Sequence, residues 1–399
     1  METSDFLVLG GGIIGISIGR ELKRRYAGAR VTVLEKEPGC GLHASGRNSG
    51  VLHAGFYYSP DSLKAKLTRL GNRKLTAYCE SRKIPLNKCG KLVVAADRSG
   101  HDRMKVLLDR AKANGIELHE VSEETARRIE PRVKTFERAL FSPTTSTVNP
   151  GQVMAAMTRD AVLEGVDIRC GVRYLSGSRE GVHTSAGGVT AGYVVNAAGL
   201  YADRIAKEYG FSEHYRILPF KGLYLHSDEP AGAIRTNIYP VPDLERPFLG
   251  VHFTVMADGH VKVGPTAIPA LWREQYEGFG GFKWSEVFEV MRRTFGLVVS
   301  SRFDFLRLAA HELPKCFRSR MVKLAAGLAD GVTAEHYRRW GHPGIRAQLV
   351  DITKGKLEMD FVIEGDHRSM HVLNAVSPGF TCALPFAELV CDRIALQLD

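Results

Sequence analysis

"DFLVLGGGIIGISIGRELKRRYAGARVTVLEKE", residues 5–37, reads as strand, glycine turn, helix and strand. "FLVL" is a short apolar run stopped by three glycines. "IIGISIGRELKRR" carries a helical pattern that turns basic towards its end, where the helix dipole favours cations. "RVTVLE" is β-branched and closes on an acid, which completes a βαβ unit of about 30 residues. Gly10-Gly11-Gly12-Ile13-Ile14-Gly15 is a G-x-G-x-x-G, and Glu35 follows Gly15 by about 20 residues. In this context Gly10 permits the tight turn, Gly12 lets a pyrophosphate approach the backbone, and Gly15 allows close packing of helix on strand. The phosphates of a dinucleotide would cap the helix at Ile13 and Ile14, and Glu35, with Lys36 beside it, would meet a ribose hydroxyl. The motif does not separate FAD from NAD.

A rival motif overlaps it. Gly15-Ile16-Ser17-Ile18-Gly19 matches the G-x-S-x-G nucleophile elbow of serine hydrolases. An elbow needs its serine at the strand-to-helix turn, but three glycines already make that turn, so Ser17 is expected inside the helix as a packing residue. "HRSMH" (367–371) and the "HEL" at 311 invite a metal reading. His367 and His371 lie in strand-like sequence without the H-E-x-x-H spacing, so no metal site is expected.

Composition narrows the class. The chain has 399 residues, 44% hydrophobic and 25% charged, as in an ordinary globular protein. Its seven cysteines include no C-x-x-C pair, which argues against a disulfide framework or zinc site and for a reducing compartment. "METSDFLVLG" has an early acid and no basic leader, and no apolar run reaches the roughly 20 residues of a membrane span, so a soluble, cytoplasmic chain is expected. The net charge of +10 is dispersed over short clusters near residues 23, 126, 318 and 337. These read as solvated helix faces rather than a nucleic-acid platform, so no nucleic-acid partner is expected. The excess charge suits a protein that holds a pyrophosphate and an anionic substrate.

Along the chain, "CGKLVVAAD" (89–97) reads as a strand and "DRMKVLLDRAKANGIEL" (102–118) as a helix. "AGYVVNAAGLYADRIAKEYG" (191–210) runs a strand into a helix. Its Ala198 and Gly199 would allow close packing on a bound adenosine or its phosphates, and a plain strand-to-helix turn fits the spacing equally well. Residues 216 to about 310 look β-rich, with a hairpin at "ADGH" (257–260). The C-terminal Ser377-Pro378-Gly379-Phe380-Thr381 is a turn opening onto a helix N-terminus. Its N–H groups can face an anion and, beside a flavin, would stabilise charge developing at N1/O2. The α/β signals at start, middle and end, with β-rich matter between, predict two interleaved domains.

One stretch is decorated beyond any linker: "HASGRNSGVLHAGFYY", residues 43–58. With "GGGIIG", Glu35, "NAAG" and the C-terminal turn-helix, the chain resembles the D-amino-acid-oxidase-like FAD oxidoreductases. Residues 43–67 are more specific and resemble the L-2-hydroxyglutarate dehydrogenase/oxidase family, whose usual form reads H-x-T-G-H-N-S-G-V-I-H-A-G-x-Y-Y followed by S-L-K-A-K. "CGKLVVA", "PFKGLYL", "NIYPVPD", "PFLGVHFT", "VGPTA", "REQYEGF" and "PGIRAQ" extend the likeness through the chain. Ser45 and Arg47 depart from the family's Thr and His, Lys221 stands where an Arg is common, and "SPGFTCA" replaces "SPAATSS".

The resemblance implies a Rossmann-like FAD-binding domain over 1–85, 145–212 and 336–399, interleaved with a β-rich α+β substrate domain over 86–144 and 213–335. It implies oxidation of L-2-hydroxyglutarate, a dicarboxylate 2-hydroxy acid, to 2-oxoglutarate by hydride transfer to flavin N5; another small 2-hydroxy or 2-amino acid is the alternative substrate. Ser45, Gly46, Arg47, Asn48, Ser49 and Gly50 would cradle pyrophosphate and isoalloxazine, and His53 to Tyr58 would floor the active site. His53 is the expected base, since a neutral imidazole accepts a proton near pH 7. His252 is the alternative base or a substrate donor. Arg346 would clamp one carboxylate bidentately, and Lys221, Tyr239 and Tyr58 are candidates for the other. Oxygen, a quinone or an electron-transfer protein would take the electrons, and basic charge without a span permits peripheral contact with anionic lipid.

Overall fold

The computed structural model describes residues 2–178, 181–243, 248–299 and 305–398. By backbone contacts the chain divides into two units, Met1–Asn48, Pro150–Pro219 and Arg346–Asp399 in one, Ser49–Asn149 and Phe220–Ile345 in the other. Residues 49–85 therefore group with the second unit, through pairings of their own: Val51 and Leu52 pair with Thr147 and Ser146, and Leu86 with Val148.

The first unit is built around the N-terminal βαβ. Strand β1 (Glu2–Leu9), helix α1 (Ile13–Arg25) and strand β2 (Val31–Glu35) form where the sequence places them. The strands pair in parallel, Phe6 opposite Val31 and Leu9 opposite Leu34. On the other side of β1 lies strand Gly187–Asn196, also parallel. The path then runs outward through Gly181–Thr184 and Tyr174–Ser178, while Asp167–Cys170 borders β2. Strand Ser369–Asn374 pairs with the end of Gly187–Asn196. Full burial of Leu7, Val8 and Leu9 follows from a strand covered on both faces. Helix Gly379–Leu398 packs on α1, where Arg25 pairs with Asp392 at 2.7 Å.

The second unit carries an eight-stranded sheet in the order Arg339–Trp340, Leu225–His226, Val261–Gly264, His252–Val255, Asn237–Pro240, Lys91–Val94, Arg138–Ser142 and His119–Ser122. The hairpin read at 257–260 joins two of these, Phe253 opposite Val263. Two cores flank strand Lys91–Val94: Leu92 and Val94 enter one, while Val93 and Ala95 enter the other with Phe56, Tyr57, Leu107 and Tyr239. The β-rich reading to about 310 needs correction, because Trp284–Val299 and Phe305–Glu312 are helices. "WSEVFEVMRR" has a period of 3.6, and its buried Glu286, Val287 and Val290 mark the inward face.

Gly15 is the most constrained position in the βαβ turn, since a Cβ there would lie 1.9 Å from the Gly10 carbonyl oxygen. Gly15→Ala is expected to cost at least the ~1–3 kcal/mol of core overpacking, read as a fall in Tm. Gly28→Ala, where an added Cβ meets nothing within 4 Å, is expected to leave Tm unchanged.

Candidate functional site

In the first unit the glycine turn gathers what the sequence assigned to a dinucleotide. Gly10 has φ +114°, and a Cβ on it would come 2.6 Å from the Ala197 carbonyl oxygen, so Ala197 and Ala198 lie directly against the turn. Asn196 fixes them: its Oδ1 accepts from the Ala198 N–H at 3.2 Å, and its Nδ2 donates to the Ala202 carbonyl and contacts His371 Nδ1. Gly199 follows in a left-handed conformation. His371 is thus a buried structural group, held also by Ser369 Oγ at 3.0 Å. Ser17 lies inside α1, buried and away from the turn.

Glu35 is buried at the end of β2, its carboxylate accepting from the N–H groups of Gly11 (2.8 Å) and Glu37 (2.9 Å). Lys36 pairs with Glu37 and contacts His43 at 3.1 Å. The two hold the Glu37 carboxyl down at about 2 against the opposing effect of burial. Ser45 reaches back to α1, where its Oγ accepts from the Ile13 N–H at 2.9 Å. A threonine hydroxyl makes the same bond, so this departure from the family pattern preserves the contact. Gly46 is close-packed, a Cβ there meeting the Gly41 carbonyl oxygen at 2.5 Å. Asn48 Nδ2 donates to the carbonyls of Ala44 and Ser45, and Arg47 Nε to that of Leu42. The Arg47 side chain thereby closes the loop on itself.

These residues fit FAD. The first turn of α1 has no acidic residue to repel phosphate, and its glycine entry leaves the backbone open to close approach. The turn at Ser377 to Thr381 leads into helix Gly379–Leu398, with Ser377 exposed, Pro378 and Thr381 buried and Phe380 half-buried. Arg346 is half-buried on strand Gly344–Asp351.

The second unit carries five of the predicted chemical groups, His53, Tyr58, Lys221, Tyr239 and His252. Ser49 Oγ accepts from the Val51 N–H, and the Gly50 carbonyl accepts from Val148. These contacts tie the end of the decorated stretch to strand Ser146–Val148. Asn72, buried on helix Leu63–Ser81, donates through Nδ2 to the carbonyls of Leu52, His53 and Thr144. It pins the backbone that carries His53. His53 is half-buried and its Nδ1 lies 3.5 Å from Lys91 Nζ. Lys91 itself is wholly buried, its ammonium 4.3 Å from the Tyr239 ring centre, 5.2 Å from that of Tyr57 and 5.5 Å from that of Phe56.

Tyr239 stacks on His252 with ring centres 3.7 Å apart and planes inclined by 18°. His252 Nδ1 faces the Gly250 carbonyl at 3.0 Å. Burial, reinforced by nearby Lys91, pushes the imidazole down to about 3, so His252 is neutral and a poor proton acceptor near pH 7. The Gly250 carbonyl can only accept, so the neutral ring keeps its proton on Nδ1 and offers Nε2 as a hydrogen-bond acceptor rather than a donor. The hydroxyls of Tyr57 and Tyr239 are buried without a hydrogen-bond partner, which is costly unless a ligand or water completes them. Tyr58 is half-buried, with Lys64 Nζ over its ring. Lys221 lies on strand Tyr215–Gly222 opposite Ile268, and burial lowers its affinity for a proton.

Sequence reading missed Lys91 and Asn72. Lys91 was legible as an anomaly, because alternation in "KLVVA" puts it on the same strand face as Val93 and Ala95, where a cation is costly. Asn72 carried no such signal.

A model of the FAD dependent oxidoreductase family matches residues 5–393. The chain is 36% identical to the mitochondrial L-2-hydroxyglutarate dehydrogenase of Bos taurus, over 98% of this chain and 88% of that one. It is 36% identical to L-2-hydroxyglutarate dehydrogenase of an Escherichia coli strain (O17:K52:H18), over 99% and 94%. Among solved structures, L-α-glycerophosphate oxidase of Mycoplasma pneumoniae, with FAD bound, superposes at a TM-score of 0.79 with 22% identity, over 99% and 95% of the two chains. That last likeness concerns the fold. The chain belongs to the FAD-dependent oxidoreductases and, within them, to the L-2-hydroxyglutarate dehydrogenase family.

Proposed function

We propose that this protein oxidises L-2-hydroxyglutarate to 2-oxoglutarate. The observation that carries the reading is the near-full-length identity of 36% with proteins of that name. FAD, when bound, supplies the acceptor for the C2 hydride at N5. Residues of the first unit hold it: the α1 N-terminus with Gly10, Gly12 and Gly15 takes the pyrophosphate, Glu35 the ribose, and Ser45 sets the loop against Ile13. The turn at 377–381 supports the flavin end. His53 takes the hydroxyl proton as the hydride leaves, and Arg346 pairs with one carboxylate. Tyr239, Tyr58 and Lys221 serve the second carboxylate.

His53→Ala is expected to slow anaerobic flavin reduction by about 100-fold or more while absorbance near 450 nm shows FAD retained. A stopped-flow rate near wild type would remove His53 from the chemistry. Arg346→Ala should chiefly raise KM, and an unchanged KM would move the clamp elsewhere. A panel of 2-hydroxy and 2-amino acids in both enantiomers tests the substrate: faster reduction by any other member sinks the assignment.

A surface of the second unit supports a reading of the electron acceptor and location. Helix Trp284–Val299 exposes Trp284 (67%), Phe288 (66%), Met291 (56%) and Phe295 (69%), spaced along one face. Exposed Arg292 and Lys283 flank this stripe, Lys283 lying 3.6 Å from the buried Glu286 carboxylate, and Glu289 is paired with Arg293. An aromatic face with cationic edges suits the interface of an anionic leaflet. We propose a cytoplasmic protein docked peripherally there, which favours a quinone as acceptor over oxygen or an electron-transfer protein. The protein is expected to float with vesicles containing phosphatidylglycerol, and Trp284→Ser with Phe288→Ser to abolish flotation at unchanged flavin reduction. Equal recovery of both proteins would overturn the docking face.

A further inference from the structure

Cys40 and Cys170 are 130 residues apart in sequence, yet their sulfurs lie 3.9 Å apart. Backbone hydrogen bonds fix that approach from both sides. The Gly41 N–H, next to Cys40, donates to the Gly11 carbonyl at 3.0 Å, and Gly41 itself packs on Met154 of helix Pro150–Leu163. Beyond Cys170, the N–H groups of Gly171 and Val172 donate to the carbonyls of Glu37 (2.8 Å) and Glu35 (2.9 Å). The two thiols are therefore brought together by the frame of the glycine turn and not by side-chain rotation alone.

The pair borders the residues assigned to FAD. Cys170 ends strand Asp167–Cys170 opposite Glu35, and register partners on neighbouring strands share a sheet face. A Cβ on Gly11 would meet Cys40 Sγ at 2.8 Å and Glu35 Oε2 at 3.1 Å. From Cys40 the chain runs on to Ser45, whose Oγ accepts from the Ile13 N–H. We propose that Cys40 and Cys170 are a modification site: a low-molecular-weight disulfide such as oxidised glutathione converts them to a disulfide that clamps the loop carrying Ser45 to the sheet edge and retards the release of FAD. The clamp rests on the reading that Glu35 and the Ser45 loop hold FAD, whereas the disulfide does not.

The chemistry is thiol–disulfide exchange in two steps. Cys170, the exposed member, attacks one sulfur of the small disulfide as its thiolate, expels one small thiolate and becomes a mixed disulfide. Cys40, half-buried, gives up its proton to solvent, attacks Cys170 Sγ and expels the second small thiolate. The protein thiols lose two electrons and two protons, and the oxidant takes them up as two thiols. An S–S bond spans about 2.05 Å, so the sulfurs draw closer without any change in strand pairing. Burial, with Cys170 and Glu35 nearby, pushes the Cys40 thiol up to about 12. That makes the closing step slow and faster as pH rises, and it leaves the equilibrium open to the disulfide, because neither the Cys40 thiol nor the disulfide carries charge. The reaction is reversible, which agrees with a chain that has no disulfide framework.

The test incubates FAD-loaded full-length protein with oxidised or reduced glutathione, blocks free thiols with N-ethylmaleimide and maps the peptides by mass. A linked Cys40–Cys170 peptide is expected with oxidised glutathione and none with reduced. Cys40→Ser should instead carry glutathione on Cys170. A wild type that carries glutathione on Cys170 without the link, or remains a dithiol, overturns the site. Release of FAD, read by its fluorescence after dilution, should be about tenfold slower from the linked protein, since a local opening is withheld, and Cys170→Ser should release at one rate in both buffers. Equal release from linked and reduced wild type overturns the clamp. Glu35→Gln in reduced protein should release FAD faster; release at the wild-type rate would reject the placement of FAD, with the linked peptide still standing.

Discussion

Everything in the first unit depends on two missing methyl groups. The Gly15 α-carbon sits where any side chain would strike the Gly10 carbonyl, and Gly10 adopts φ +114° under the Ala197 carbonyl. Those approaches let the Gly10 N–H reach the Leu34 carbonyl at 2.8 Å and the Ala197 N–H reach that of Leu9 at 2.9 Å. Three parallel strands are thereby locked to one turn before the helix begins. The α1 N-terminus then starts from a rigid frame, and a helix end so placed suits an anion by its unpaired N–H groups and dipole. Ser45 uses one of those donors from the protein side, which fixes the loop without consuming the rest.

The second unit solves the opposite problem. Its site must hold charge in an apolar setting, and it does so with rings. Tyr239 serves twice, stacking on His252 on one strand neighbour and facing Lys91 on the other. Parallel register sets Tyr239 opposite Val93, so the strand face that carries Lys91 is the face that carries Tyr239. Packing and electrostatics are therefore one constraint here: the rings that fill the core also set the proton affinities beside His53.

How much of this the sequence shows depends on whether the signal is local. The βαβ unit, Glu35 and the hairpin at 257–260 were legible because period, turn residues and spacing all act within about 30 residues. The helix at 284–299 was misread because aromatic and β-branched residues suggest strands until their 3.6 spacing is counted. Ser45 was legible as loop chemistry, but its bond to Ile13 joins residues far apart in sequence. Asn72 and Lys91 act on His53 across 19 and 38 residues, and no periodicity encodes such a pairing.

The departure at Arg47 shows the same limit from another side. Read as a residue type, an arginine in place of the family's histidine suggests an added charge on the cofactor. In the fold its guanidinium is partly spent on the Leu42 carbonyl, and it shares the loop with Asn48, which binds the carbonyls of Ala44 and Ser45. The loop is therefore braced by side-chain donors to its own backbone, a demand that an imidazole meets with one donor and a guanidinium with several. What varies at position 47 is how the brace is made, while the close packing at Gly46 that demands a brace stays fixed by the Gly41 carbonyl.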